Sequence, residues 1–124
     1  MKKVLIVDDE EEIGELLKKK LEQNKYEAIT ASGGQEALDI CKTNKPDLVL
    51  LDIAMPGMDG YETCEKLKQD KATRDIPVLF LTAKDLNPQA AIERYQSLGA
   101  SGYLSKPSTI KELLDKIEEI IGRA

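Results

Sequence analysis

The sequence predicts an α/β fold: a five-stranded parallel sheet in the order 2-1-3-4-5, with helices on both faces. Three observations carry this. Short apolar runs alternate with stretches of helical period five times, and no linker, repeat or low-complexity segment intervenes. Val4 to Val7, Leu48 to Leu51 and Ile76 to Leu81 carry no charge, as strands covered on both faces require. Polar residues follow these runs at once, at the strand ends where open α/β sheets build their sites.

Each element has its own justification. Val4 to Val7 is a short interior strand ended by Asp8 and Asp9. Glu10, Glu11 and Glu12 then place acid at the start of a helix, where the dipole favours it. Ile13, Leu16, Leu17 and Leu21 give that helix a stripe expected to face the sheet. Glu27 to Ala31 is mixed in character and belongs at an edge. Ser32-Gly33-Gly34-Gln35 has the form of a capping box, with Ala37, Leu38 and Cys41 as the buried face of the second helix. Leu48 to Leu51 is the central strand, with Asp52 at its end and Pro56-Gly57 punctuating the loop beyond. Asp59 and Glu62 open a third helix with Tyr61, Cys64 and Leu67 inward.

Ile76 to Leu81 forms the fourth strand and ends in Thr82. Asn87-Pro88 starts a helix with Ala91, Tyr95 and Leu98 at helical spacing, closed by Gly99. Gly102-Tyr103-Leu104 is a short fifth strand running into Ser105-Lys106-Pro107. Thr109 to Glu112 forms a second capping box, heading a helix with Ile110, Leu113, Leu114, Ile117 and Ile121 inward and Gly122 at its end. The most apolar strands belong inside, and right-handed crossovers then select the flavodoxin-like order, with its switch point between strands one and three. Asp8, Asp9 and Asp52 flank that crevice.

A chain of 124 residues suits one domain, residues 1–124, with one real core. It has no apolar run long enough to span a membrane and no secretory signal, so a cytoplasmic setting without membrane contact is expected. The net charge of −5, with cations scattered among acids, argues against direct nucleic-acid binding by this domain. Cys41 and Cys64 lack metal-type spacing and read as small buried residues. There is no histidine, so chemistry that needs an imidazole must draw it from a partner.

Four strands deliver polar groups to one rim: Asp8 and Asp9, Asp52, Thr82, and Lys106 just past the fifth. Singly, each has an ordinary explanation, as a cap, a loop organiser or a solvated cation. Together they suggest a site. Carboxylates about 4 Å apart repel by roughly 4 kcal/mol at an effective dielectric of about 20. Three in one crevice need a counter-charge beyond Lys106. An all-oxygen donor set suits Mg²⁺, held by Asp9 and Asp52 with Asp8 direct or through water. A carboxylate beside such an ion, a hydroxyl and an ammonium is equipped for phosphoryl transfer to the carboxylate itself. Asp52, alone at the end of the central strand, is the best acceptor.

The joint pattern resembles the receiver domains of the response-regulator family, the phospho-accepting half of two-component signalling, and within it the single-domain chemotaxis-regulator type. The matching residues are Val7-Asp8-Asp9-Glu10, Asp47 to Asp52, Met55-Pro56-Gly57-Met58-Asp59-Gly60, Leu81-Thr82-Ala83, Gly99-Ala100 and Tyr103 to Pro107, from end to end of the chain. The resemblance implies Asp52 as phosphoacceptor, Asp8 and Asp9 as the acidic metal pair, and the backbone carbonyl of Ala54 as a further Mg²⁺ ligand. It implies Thr82 and Lys106 as phosphoryl contacts, with a cis Lys106-Pro107 bond aiming the lysine. Thr82 and Tyr103 would form the switch that reshapes the face of the fourth helix, fifth strand and fifth helix. The resemblance also implies that Ala54 and Lys84 occupy positions that in this family tune phosphoryl lifetime. Ser108 departs from the phenylalanine many receivers carry.

The resemblance further implies a histidine kinase or histidine phosphotransfer protein as donor, and a downstream protein target or fused output domain. The chain would then be a self-phosphorylating signalling module with slow self-dephosphorylation rather than a turnover enzyme. Its end at Ala124, without a linker, fits a stand-alone receiver, although a domain cut from a longer regulator would end the same way. A Mg²⁺-dependent aspartate-nucleophile phosphohydrolase similar to the haloacid-dehalogenase group would need an acid where Ala54 stands, and a substrate cap. A flavin carrier would need a Ser/Thr/Gly-rich phosphate loop where Asp8 to Glu12 stand.

Overall fold

The computed structural model describes residues 1–82, 88–105 and 109–122. Its elements run β1 (Lys3–Val7), α1 (Glu11–Gln23), β2 (Glu27–Ala31), α2 (Gly34–Thr43), β3 (Leu48–Asp52), α3 (Gly60–Gln69), β4 (Val78–Thr82), α4 (Pro88–Ser97), β5 (Gly102–Ser105) and α5 (Ile110–Ile121). All neighbouring strands pair in parallel, in the order β2-β1-β3-β4-β5. The predicted order holds for the predicted reason: β1, β3 and β4, whose described side chains are almost wholly buried, lie inside.

Strand alternation divides the core in two. Leu5, Val7, Val49, Leu51, Val78 and Phe80 share one face with Ala37 and Cys41 of α2 and Cys64 and Leu67 of α3. Val4, Ile6, Leu48, Leu50, Leu79 and Leu81 share the other with Leu21 of α1 and Leu113 and Ile117 of α5. Each buried Val, Leu, Ile or Phe side chain among them, withdrawn from water, contributes about 1.5–3 kcal/mol. The two ends of the second layer are tied by the buried Tyr26, whose part-buried hydroxyl donates to the Gly122 carbonyl at 3.2 Å. Burial, with a smaller push from Glu118, raises its phenol pKa.

Four local expectations are corrected. Leu16 is 55 % exposed, because Ile13, Leu17 and Leu21 follow one another at i+4 and fix the inner line of α1. At about 100° per residue Leu16 falls well outside it. Ile110 opens α5 and is 36 % exposed, being a turn short of the contact made by Leu113 and Ile117. β4 begins at Val78 rather than Ile76: Pro77 has no N–H for the ladder, although its carbonyl accepts from Val49. The Ser32–Gln35 box does not form. Gly33 is the N-cap of α2, and Ser32 donates its hydroxyl and N–H to the Glu36 carboxylate instead. The caps of α3 and α5 are as expected, with Asp59 accepting from the Glu62 N–H at 2.8 Å and Thr109 from the Glu112 N–H at 3.1 Å, while the expected Asn87 cap of α4 lies outside the described residues.

Cys41 and Cys64 are free and buried, and burial pushes both thiols up to about 11 from 9.0, against a small opposing pull from Lys68 on Cys64. Their raised folded-state pKa values leave the associated stability intact below about pH 9. It is lost as pH rises through about 11, because the unfolded chain then releases thiol protons that the folded chain keeps. The expected loss is on the order of 2–3 kcal/mol per thiol. Denaturant melts of the native chain and of a Cys41→Ala/Cys64→Ala double variant check this: the variant's stability should fall less between pH 8.5 and about 11.

Candidate functional site

β1 and β3 are adjacent, and both end at the same edge of the sheet. Asp8 leaves β1 directly after Val7, its N–H donating to the Ala31 carbonyl at 3.1 Å. Its Oδ1 accepts from the Glu10 N–H at 2.9 Å, which turns the chain into α1. Asp52 is the last residue of β3, in register with Leu81 of β4. Asp8 is 3 % exposed and Asp52 7 %, whereas Asp9 stands in solvent, so the cluster opens to water on the Asp9 side. One carboxylate oxygen from each of Asp8, Asp9 and Asp52 lies within 4.8 Å of the others. Like charges at that separation repel by roughly 3 kcal/mol per pair at an effective dielectric of about 20.

The other residues of the expected site stand as follows. Thr82 closes β4 beside Ser105 of β5. Ala54 is exposed in the loop that leaves Asp52. Tyr103 sits within β5, half-buried, its ring 5.4 Å from that of Tyr95. Lys106 follows Ser105 in the chain and, with Lys84, Pro107, the Lys106-Pro107 bond and Ser108, lies outside the described residues.

One positioning feature had no role assigned from sequence. Gly60 begins α3 pressed against the backbone of the acceptor strand, its N–H donating to the Ile53 carbonyl at 2.9 Å. A Cβ there would fall 2.4 Å from the Asp52 carbonyl oxygen and 2.7 Å from Ile53 Cα. Both are backbone atoms and cannot swing aside. The same carbonyl of Ile53 accepts from Met55, and the Ile53 N–H donates to Leu81. Asp52 is thereby held from β4 and from α3. The signal was present as a glycine straight after the helix-capping Asp59, but close approach to a strand is a tertiary fact.

Residues 4–118 match the model of the response regulator receiver domain. The chain belongs to this family. As a receiver it is a module of two-component signalling, where the general function is acceptance of a phosphoryl group on aspartate and where receivers act with histidine kinases and output domains. It is 43% identical over 123 residues to the alkaline phosphatase synthesis transcriptional regulatory protein PhoP of Bacillus subtilis, covering 99% of this receiver and 50% of that protein. It is 46% identical over 107 residues to the response regulator PleD of Caulobacter vibrioides, covering 85% of this receiver and 23% of PleD. The receiver thus spans about half the length, or less, of these curated relatives. Among solved structures it superposes on Vibrio cholerae CheY4 with TM-score 0.89 at 30% identity, covering 97% of this chain and 98% of that one. It also matches the N-terminal receiver of a Methanoculleus marisnigri response regulator, with TM-score 0.77 at 47% identity and 98% of each chain covered. No helix among the described residues is long and apolar enough to cross a membrane.

Proposed function

We propose that Asp52 is the phosphoacceptor of this receiver and that Asp8, Asp9 and Asp52, with the Ala54 carbonyl, hold the divalent cation the reaction uses. The observation that carries the reading is the convergence of three carboxylates within 4.8 Å at the ends of β1 and β3. The donor set is all oxygen and the charge is high, which fits Mg²⁺ and not a soft metal. Mg²⁺ bound there supplies charge neutralisation for the acids and for phosphoryl oxygens.

An oxygen of the Asp52 carboxylate attacks phosphorus of a phosphohistidine on a histidine kinase or phosphotransfer protein. The P–O bond to Asp52 forms as the P–N bond breaks. The electron pair goes to the imidazole nitrogen, which takes a proton from solvent. The donor must bring the imidazole, since this chain has no histidine. The Thr82 hydroxyl and Lys106 ammonium hold the transferred oxygens, and Lys106 is charge-matched to them. Thr82 and Tyr103 then carry the change to the α4–β5–α5 face, toward a downstream protein or a fused output domain. Residues 1–124 act as one receiver in the cytoplasm, losing the phosphoryl group slowly to water.

Incubation with acetyl phosphate, followed by intact-mass measurement, tests the reading. Attack on that donor breaks its P–O bond and releases acetate. One phosphoryl group is expected with Mg²⁺ and none after chelation; equal labelling in both arms would overturn the metal's role. Lys106→Ala is expected to keep the fold and still accept phosphate while losing the phosphorylation-dependent chemical-shift change in α4 and β5. An unaltered change in that variant contradicts the assignment of Lys106.

A further inference from the structure

The chain has four tyrosines, one phenylalanine and no tryptophan, and all but Tyr26 gather around α4. Tyr61 of α3 meets Phe80 of β4 edge-on, ring centroids 5.4 Å apart at 73°. Phe80 is the register partner of Tyr103 on β5, and both pack in the same core layer. Tyr103 meets Tyr95 of α4 at 5.4 Å. The residue before Tyr95 closes the circuit: the Arg94 guanidinium lies 4.8 Å from the centroid of the Tyr61 ring. One turn on, the Cys64 thiol of α3 donates a long contact to the Leu98 carbonyl at 3.9 Å.

Consecutive residues of α4 therefore grip opposite neighbours, Arg94 holding α3 and Tyr95 holding β5. They project about 100° apart on one helix, so a movement of α4 with the Tyr103 ring strains the Arg94–Tyr61 contact. Phe80 and Tyr103 lie only one same-face step before Thr82 and Ser105, the pair that ends β4 and β5 at the site's edge.

We propose that the Arg94–Tyr61 contact is a latch that holds α4 in its resting position and sets how readily phosphorylation at Asp52 reaches the α4–β5 surface. The inference rests on the phosphoacceptor reading above and adds a regulator of it. A contact present in one state and lost in the other biases the equilibrium by its own free energy. Arg94 is exposed, and a cation over a tyrosine at an exposed site is worth about a two- to five-fold change in that equilibrium.

The test is a titration of the full chain with beryllofluoride in Mg²⁺, followed by the backbone amide shifts of Gln89 to Leu98. Arg94→Met keeps most of the side-chain stem and removes the cation. Its half-saturating concentration is expected to fall two- to five-fold, with resting shifts already displaced along the line toward the saturated state. Tyr61→Leu should act in the same direction, and the two changes together should add less than the sum of their separate effects. Arg94→Lys and Tyr61→Phe, which keep cation and ring, should stay near the native value. Unchanged or raised half-saturation in both Arg94→Met and Tyr61→Leu overturns the latch. The amide shifts of Asp52 and Ile53 separate the two failures: no change there on adding beryllofluoride in Mg²⁺ overturns the phosphoacceptor reading and the latch with it, whereas a change there with the α4 amides unmoved overturns the latch alone.

Discussion

Asp52→Asn is expected to take up no phosphoryl group from acetyl phosphate under conditions that label the native chain. Asparagine keeps the shape of the side chain and removes the nucleophilic charge. The buried β3 end therefore stays packed while the chemistry is lost. The same change removes one of three carboxylates that crowd within 4.8 Å. Without Mg²⁺ the variant is therefore expected to be more stable than the native chain by about 1–3 kcal/mol, the repulsion relieved. Added Mg²⁺ should raise its melting temperature less than that of the native chain, because one ligand is gone. Intact mass and thermal melts with and without Mg²⁺ check the three expectations together. A labelled Asp52→Asn chain would move the acceptor elsewhere.

Gly60→Val is the second large effect. The new side chain would begin 2.4 Å from the Asp52 carbonyl oxygen, so either α3 tilts away or the end of β3 is displaced. Overpacking of this kind costs about 1–3 kcal/mol. A shift of the acceptor by a fraction of an ångström relative to Asp8 and Asp9 is expected to slow labelling by acetyl phosphate by about tenfold, since about 1 Å of misplacement is worth about a hundredfold. Mg²⁺ affinity should weaken in parallel, because Asp52 is taken as part of both. Gly60→Ala, with the smallest possible Cβ, should fall between Val and the native chain on rate, affinity and stability. Normal labelling by a folded Gly60→Val chain would show that α3 yields and that the close approach does not position Asp52.

Much of the fold is written in local patterns. The uncharged runs of β1, β3 and β4 mark strands covered on both faces, and with right-handed crossovers they order the sheet. The acids after β1 and β3 converge because the adjacency of these strands follows from the same reasoning. What sequence hides is set by contact between elements. Leu16 fits a helical stripe on paper, yet the sheet meets α1 along Leu17 and Leu21. Ser32 has a capping residue's chemistry, but a glycine intervenes as N-cap and Glu36 takes the hydroxyl. Pro77 looks like part of an apolar strand until its missing N–H is counted. Gly60 and the Arg94–Tyr61 contact each join segments distant in sequence, and no spacing rule links them.

The central claim is that one cation and one phosphoryl group meet at the edge where β1 and β3 end. A crystal structure of the chain with Mg²⁺ and beryllofluoride tests it most directly. The account predicts one ion about 2.0–2.1 Å from carboxylate oxygens of Asp9 and Asp52, with Asp8 bound directly or through water and beryllium joined to the Asp52 oxygen. An ion held by other residues, or beryllofluoride attached to a different carboxylate, contradicts it.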